Sequence, residues 1–149
     1  MPKITIFVGL PAAGKSEAIK RLPRTTGGVY VEDFMANSIE HSERFTQSRH
    51  YVALVEALRA GHDCVIADVA YCDTWRRIEV EQVIRQDVVG IDLCWIFFEN
   101  DLKQCKANIE HRNRPSWSDE IVTAEKLSAR YFVPNGAVVR QVVRANESK

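Results

Sequence analysis

The feature that most constrains this chain is a loop near its start with the pattern G-x-x-x-x-G-K-S. The loop follows a short apolar run typical of a β-strand and precedes a segment, 14–22, that can form a helix. Its two glycines allow backbone angles and close approaches that a Cβ would obstruct. Backbone N–H groups can then turn towards phosphate oxygens, helped by the positive end of the helix dipole. This phosphate-binding loop (P-loop) consists of Gly9, Leu10, Pro11, Ala12, Ala13, Gly14, Lys15 and Ser16.

The last two residues of the P-loop carry side chains suited to a nucleoside triphosphate. Lys15 is expected to reach the β- and γ-phosphates, and the Ser16 hydroxyl is expected to ligate Mg²⁺. The alternative interpretation is a chance glycine-rich turn between a strand and a helix. Because a strand stands directly before the loop, the sequence favours the binding of a nucleoside triphosphate together with Mg²⁺.

Length and composition indicate one ordinary globular domain spanning 1–149. The chain has 149 residues, of which 46% are hydrophobic and 27% charged. Its 20 basic and 20 acidic side chains cancel, which argues against a protein that mainly wraps nucleic acid. The four cysteines show no C-x-x-C spacing, which indicates free thiols in a reducing compartment. With no membrane-spanning or signal segment in the sequence, we expect a cytoplasmic protein without a membrane partner.

The chain alternates short apolar runs with amphipathic stretches, the pattern of parallel strands joined by helices. Five strands and interleaved helices predict an α/β fold with a small doubly wound sheet, and a ligand at the carboxyl ends of its strands. The stretch 35–47 is left open between helix and loop. Strands are expected at 3–8, 29–31, 64–67, 91–98 and 137–143, and helices at 14–22, 48–61, 74–85, from Asn100 or Asp101 past Ile109, and at 118–130 with Ser118 as its cap.

Acidic residues follow two of the predicted strands. Asp68 closes an apolar strand, where a carboxylate can hold Mg²⁺ opposite Ser16; the alternative is a helix cap without a metal. Glu32 and Asp33 end the second strand, where a carboxylate can accept the proton of an acceptor hydroxyl. Asp33 is the preferred base and Glu32 the reserve. The alternative for this pair is a solvated acid at a strand end.

A basic stretch follows the fourth strand and its helix. We interpret 111–117 as a short lid whose arginine, Arg112 or Arg114, neutralises charge on a transferred phosphoryl group. The alternative is that these cations complement the dipole of a helix C-terminus. Arg76 and Arg77 are weaker candidates for the same cleft, and a solvated helix face is the favoured interpretation for them.

Together these residues resemble the small P-loop kinases, which include adenylate, shikimate and gluconate kinases and the kinase domain of polynucleotide kinase. The stretch 95–101, W-I-F-F-E-N-D, running on to 112–114, is similar to AAA-type kinase-like proteins near polynucleotide kinases and zeta-toxin-like kinases. The resemblance implies a three-layer P-loop NTPase fold like that of adenylate kinase, with a five-stranded parallel sheet in the order 2-3-1-4-5. It also implies Mg-ATP as phosphoryl donor and a hydroxyl as acceptor.

The function expected from these observations is transfer of the γ-phosphoryl group of ATP to a hydroxyl of a small molecule or nucleotide. One alternative is a 5′-hydroxyl polynucleotide kinase, but those kinases often carry an arginine three residues after the second-strand aspartate, where this chain has Ala36. Arg44 or Arg49 could substitute for it in space. The other alternative is a non-catalytic, ATP-binding regulatory module. The acceptor and the choice between adenine and guanine stay open. The last strand and the turn at 134–136 are expected to border the base.

Overall fold

The computed structural model describes residues 2–35 and 44–145. The fold has three layers, with a five-stranded parallel sheet in the order β2-β3-β1-β4-β5 between layers of helices. This confirms the predicted fold class and strand order. The strands are β1 Lys3–Val8, β2 Tyr30–Val31, β3 Cys64–Ala67, β4 Asp92–Phe98 and β5 Val138–Arg140. The helices are α1 Lys15–Arg21, α2 Arg49–Arg59, α3 Thr74–Asp87, α4 Leu102–Arg112 and α5 Trp117–Ser128, with 3₁₀ turns at Phe45–Gln47 and Val69–Cys72.

The centre of the sheet is formed by the two strands whose sequences are continuously apolar. All four residues of β3 are buried, and every residue of β1 after Lys3 is buried. Phe7 lies opposite Ala67 of β3 and Ile96 of β4, so these strands end at the same edge of the sheet. The P-loop and Asp68 therefore leave the sheet side by side at its carboxyl edge.

Short polar side chains begin several helices, as the sequence predicts. Ser48 accepts a hydrogen bond from a first-turn N–H of α2, and Asp73 does the same for α3. Of the two candidates for α4, Asp101 is the cap. Asn100 instead donates its amide hydrogens to the carbonyl oxygens of Ser128 and Tyr131.

The last strand is shorter than predicted. The sequence pattern extends a strand over 137–143, but β5 has only three residues. Beyond it the backbone N–H of Val142 donates to Oε1 of Glu99, and that of Val143 donates to the carbonyl oxygen of Ala13. The prediction is wrong at this end because these donors direct the chain away from β4 and towards the P-loop.

The connection between α4 and α5 also differs from the prediction. Ser118 is not the cap of α5: the helix begins at Trp117, and Ser116, two residues before the predicted cap, occupies the cap position without a side-chain hydrogen bond. α4 ends at Arg112, and the cap residue Asn113 has the left-handed backbone (φ 46°) that asparagine tolerates. Of the stretch 111–117, only the four residues 113–116 lie between the two helices, and the role of this stretch as a lid stays a prediction.

Part of the chain lies outside the described residues. The segment 36–43 belongs to that part, and it includes most of the stretch for which the sequence leaves helix and loop open. Ala36, the position that bears on the polynucleotide kinases, lies there too. Within the ranges 2–35 and 44–145, none of the helices is long and apolar enough to cross a membrane.

Candidate functional site

A cleft of about 500 Å³ opens at the carboxyl edge of the sheet, between the P-loop and the α4–α5 pair. It brings together the P-loop residues 11–16, both candidate bases and both candidate lid arginines. Gly9 and Leu10 lie at the start of the loop and do not line the cleft, and neither does the buried Asp68. Residues far apart in sequence thus meet in one cavity, and most of the sequence-predicted site residues are among them.

The backbone of the P-loop turns through two left-handed positions. Gly14, immediately before α1, has φ 118°, and a Cβ on it would lie 2.6 Å from Cγ1 of Val143. Only glycine avoids both the strain and the overlap. Ala12 has φ 65°, an uncommon value for a residue with a side chain. Such positions cluster at binding sites, where the surrounding structure holds them.

The Lys15 side chain is buried within the loop. Its Nζ donates hydrogen bonds to the carbonyl oxygens of Gly9 and Leu10, each at 2.8 Å. Burial lowers the pKa of Lys15, and the neighbouring carboxyl groups of Asp68 and Asp33 act in the opposite direction. The loop therefore holds a cation against its own carbonyl groups, beside the backbone that would receive a phosphate.

Asp68 is only 4% exposed, and its carboxylate is already hydrogen-bonded. Its Oδ2 accepts the backbone N–H of Met35, and its Oδ1 accepts that of Ala70, both at 2.7 Å. It thereby caps the 3₁₀ turn after β3 and ties this turn to the segment after β2. These bonds match the interpretation of Asp68 as a cap.

Asp33 lies at the rim of the cleft, exposed and with a left-handed backbone (φ 53°). Loss of solvation raises the pKa of Asp33, and the carboxyl groups of Asp68 and Glu32 raise it further. Lys15 and Arg114 lower it in part. Negative charge is therefore concentrated beside the P-loop, and a carboxylate there holds a proton more readily than an ordinary aspartate.

The oxygen donors at this edge fit Mg²⁺, which proteins usually bind through one or two carboxylates together with phosphates of the substrate. Ser16 offers a hydroxyl in the cleft, and Asp68 and Asp33 offer carboxylates close enough to perturb each other. A divalent cation would relieve the repulsion that raises the pKa of Asp33. Among residues 2–35 and 44–145 there is no group of three or more histidine, cysteine or acidic side chains placed to hold a metal by themselves.

The structure separates the two arginines that the sequence could not distinguish. Arg112, on α4, forms an ion pair with Glu120 of α5. Within the described ranges, the Nε of Arg112 and the Oε1 of Glu120 are buried without hydrogen-bond partners. Arg114 is exposed in the connection between the helices, and it makes no hydrogen bond or ion pair with the described residues. Arg114 is thus the more available cation at the cleft.

Arg77 departs from the expectation of a solvated helix face. It is buried, and its guanidinium donates to the carbonyl oxygen of Tyr71, to Oγ1 of Thr74 and to the carbonyl oxygen of Phe132. Arg76 is exposed and pairs with Glu79. Neither arginine lines the P-loop cleft, so Arg77 joins parts of the fold and does not contribute to this site.

Sequence reasoning missed Asn108 in one wall of the cleft. Asn108 on α4 is buried and lines the cleft with Val143 and Ala145 from the segment after β5. The available signal was an asparagine on the side of α4 that also carries Cys105 and Ile109, where a buried amide needs partners. The turn at 134–136, expected to border the base, instead lines a separate cavity of about 650 Å³.

The fold and the cleft together define a class: nucleotide-binding P-loop proteins of the small-kinase type. The family model described as "AAA domain" matches residues 4–131, and the chain belongs to that family. No curated protein matches the sequence.

Two solved structures resemble the fold. A gluconokinase from Sinorhizobium meliloti 1021 is 16% identical, with a TM-score of 0.60 over 95% of this chain and 83% of that chain. Kti12 from Chaetomium thermophilum, solved in complex with ADP-AlF3, is 17% identical, with a TM-score of 0.56 over 94% of this chain and 89% of that chain. Both likenesses concern the fold.

Proposed function

We propose that this protein transfers the γ-phosphoryl group of Mg-ATP to a hydroxyl group of a small-molecule or nucleotide acceptor. One observation carries the proposal. A single cleft contains the P-loop residues Lys15 and Ser16, an exposed carboxylate at Asp33 and an exposed guanidinium at Arg114. A phosphate cradle alone would suffice for binding, whereas an acid and an arginine facing the same space are what phosphoryl transfer needs.

Each residue then has a defined part in the reaction. The P-loop N–H groups and Lys15 bind the phosphates, and Ser16 and Asp68 would hold Mg²⁺, which supplies neutralising charge when bound. The oxygen of the acceptor hydroxyl bonds to the γ-phosphorus, and Asp33 accepts the proton that this hydroxyl loses. The bond from that phosphorus to the bridging oxygen breaks, and ADP leaves with the electron pair. Arg114 donates hydrogen bonds to the transferred group.

The charges in the cleft favour a small acceptor over a nucleic acid. Among the described residues that line the cleft, acids slightly outnumber cations: the acids are Glu17, Glu32, Asp33, Asp119 and Glu120, and the cations are Lys15, Lys20, Arg112 and Arg114. Neither Arg44 nor Arg49 lines the cleft. A phosphodiester chain would meet repulsion here, since its binding depends on several cations placed along the backbone.

The test is a transfer assay with γ-labelled ATP and separate pools of nucleosides, 5′-hydroxyl oligonucleotides, sugars and small hydroxy metabolites. We expect label in one small-molecule pool, and its loss in Lys15→Ala, because removing a phosphate-binding cation lowers turnover by about a hundredfold or more while leaving the fold intact. Circular dichroism of this variant is the control.

Two outcomes would contradict the proposal. Salt-sensitive transfer to oligonucleotides would identify a polynucleotide kinase. Tight ATP binding with no transfer to any pool would indicate a regulatory ATP-binding module.

A further inference from the structure

We infer that Asn108 is a positioning residue that joins the P-loop to the C-terminal segment 142–145, so that these two walls of the cleft bind a nucleotide as one unit. The inference rests on nucleotide binding at the P-loop, as proposed above. It concerns a residue of α4 that lies between the P-loop and the segment and that need not touch the phosphates to affect them.

The amide of Asn108 uses its whole hydrogen-bonding capacity on these two walls and on its own helix. Its Nδ2 donates to the carbonyl oxygen of Ala12 at 3.0 Å and to that of Val143 at 2.6 Å. Its Oδ1 accepts the side-chain N–H of Gln104 at 2.9 Å and the backbone N–H of Ala145 at 3.1 Å. Two carbonyl oxygens on one side and a backbone N–H on the other admit only one orientation of the amide.

This amide lies between two groups that would otherwise repel each other. The carbonyl oxygens of Ala12 and Val143 both point at Nδ2, and the side chain is only 3% exposed, so water has little access to replace it. A second link runs alongside: the backbone N–H of Val143 donates to the carbonyl oxygen of Ala13 at 3.1 Å. The segment is thus bonded to both central residues of the P-loop.

The position of these bonds connects them to phosphate binding. Ala12 has a left-handed backbone although it carries a side chain. Such a conformation persists only when neighbouring groups hold it. The carbonyl oxygens of Ala12 and Ala13 are both engaged by donors from outside the loop, which helps to fix the backbone conformation that phosphate binding requires. Losing the Asn108 donors would release the carbonyl of Ala12 and loosen the arrangement.

The link also predicts coupling in the opposite direction. If Asn108 makes the P-loop and the segment one unit, a ligand that orders the loop must also order the segment, because coupling between two sites is reciprocal. The backbone N–H groups of Val143 and Ala145 report this order directly. Their hydrogen exchange should slow when ATP binds.

The chain contains a matched control for the loss of such an amide. Asn100 also donates Nδ2 to two carbonyl oxygens, those of Ser128 at 2.9 Å and Tyr131 at 3.1 Å. It lies outside the lining of the P-loop cleft. Asn100→Asp and Asn108→Asp therefore make the same chemical change, a carboxylate facing two carbonyl oxygens, at an exposed position outside the cleft lining and at a buried position within it.

The experiment measures ATP affinity by calorimetry, and hydrogen exchange of 142–145 with and without ATP, for the full chain and both variants. We expect Asn108→Asp to weaken ATP binding by about tenfold or more and to abolish the ATP-dependent protection of the segment. Asn100→Asp should keep its ATP affinity within about twofold of the wild type and should keep the ATP-dependent protection. This should hold even if its Tm falls as much as that of Asn108→Asp. If the aspartate variant does not fold, Asn108→Ser, which retains one donor and adds no charge, replaces it and should weaken binding less.

Three results would overturn the inference. If Asn108→Asp bound ATP with wild-type affinity, the positioning role of Asn108 would be refuted, while the nucleotide site would stand. Equal losses of affinity in the Asn100 and Asn108 variants would reduce Asn108 to an ordinary structural residue. A wild-type protein that binds no ATP would refute the nucleotide site itself and, with it, any coupling to the segment.

Discussion

Asp33 is the residue at which the chemistry and the electrostatics of the cleft meet. Asp33→Asn keeps the shape of the side chain and tolerates the left-handed backbone at this position (φ 53°), so the fold should be retained. Without a base, we expect turnover to fall by about 10²–10⁴-fold with ATP affinity nearly unchanged. Single-turnover kinetics and ATP calorimetry on the same preparation measure the two effects. A variant that retains transfer would assign the base to Glu32 or to no side chain.

The same carboxylate predicts how activity and stability depend on pH. Loss of solvation, followed by Asp68 and Glu32, raises the pKa of Asp33 above its ordinary value of 3.8. The base must be ionised, so turnover falls as the pH drops through this raised pKa. The fall therefore occurs at a higher pH than it would with an ordinary aspartate. The folded state binds this proton more tightly than the unfolded state, so the contribution of Asp33 to stability declines as pH rises from the ordinary to the raised value. An asparagine side chain does not titrate. At pH values above the raised pKa of Asp33, the Tm of Asp33→Asn should therefore equal or exceed that of the wild type.

At the scale of elements, the α4–α5 pair presents one restrained and one available arginine. Arg112 pairs with Glu120 between the two helices, whereas Arg114 lies in the short connection without a protein partner among residues 2–35 and 44–145. Arg114→Ala should lower turnover by about a hundredfold or more and leave Tm unchanged. Arg112→Ala should lower stability by about 1–3 kcal/mol, because it leaves the half-buried Glu120 carboxylate without its partner. Thermal melts and steady-state kinetics of both variants separate the two roles.

A matched variant controls for the ion pair. Glu120→Gln keeps a side chain of the same size beside Arg112 and removes the charge. It should lower stability less than Arg112→Ala and leave the effect of Arg114→Ala on turnover intact. If turnover instead follows Arg112, with Arg114→Ala close to wild type, the assignment of the phosphoryl contact is reversed.

At the scale of the whole molecule, a ligand that binds only the folded chain must stabilise it. Mg-ATP at about 100 times its Kd should add about 2.7 kcal/mol to the free energy of unfolding. For a chain of this size that corresponds to a rise in Tm of about 5–10 °C. Chelating the metal with EDTA should reduce the rise, since the phosphates would then face the acids beside Ser16 without a cation. Scanning fluorimetry measures the rise in Tm, and Lys15→Ala is the control. An equal rise in Lys15→Ala would mean that ATP binds at a site other than the P-loop.

Much of the site was predictable because the chemistry of a P-loop resides in consecutive residues. The strand before it, the glycines and Lys15 are local features, and their geometry follows from short-range sterics. Asp33 and Asp68 were predictable as the residues that follow strands, which end at one edge of a parallel sheet. The wall formed by Asn108 and Val143 was not predictable, because its bonds join segments far apart in the chain.

The sequence by itself determined the P-loop, the apolar strands and the acids that follow them, since each depends on neighbouring residues or on a simple period. Only the tertiary structure decided which arginine is available, where β5 ends and what holds the left-handed Ala12 in place. Glu120 restrains Arg112 from another helix, and the Glu99 side chain with the P-loop draws the chain away from β4. Such outcomes depend on which donor reaches which acceptor in space, and spacing along a chain does not encode that distance.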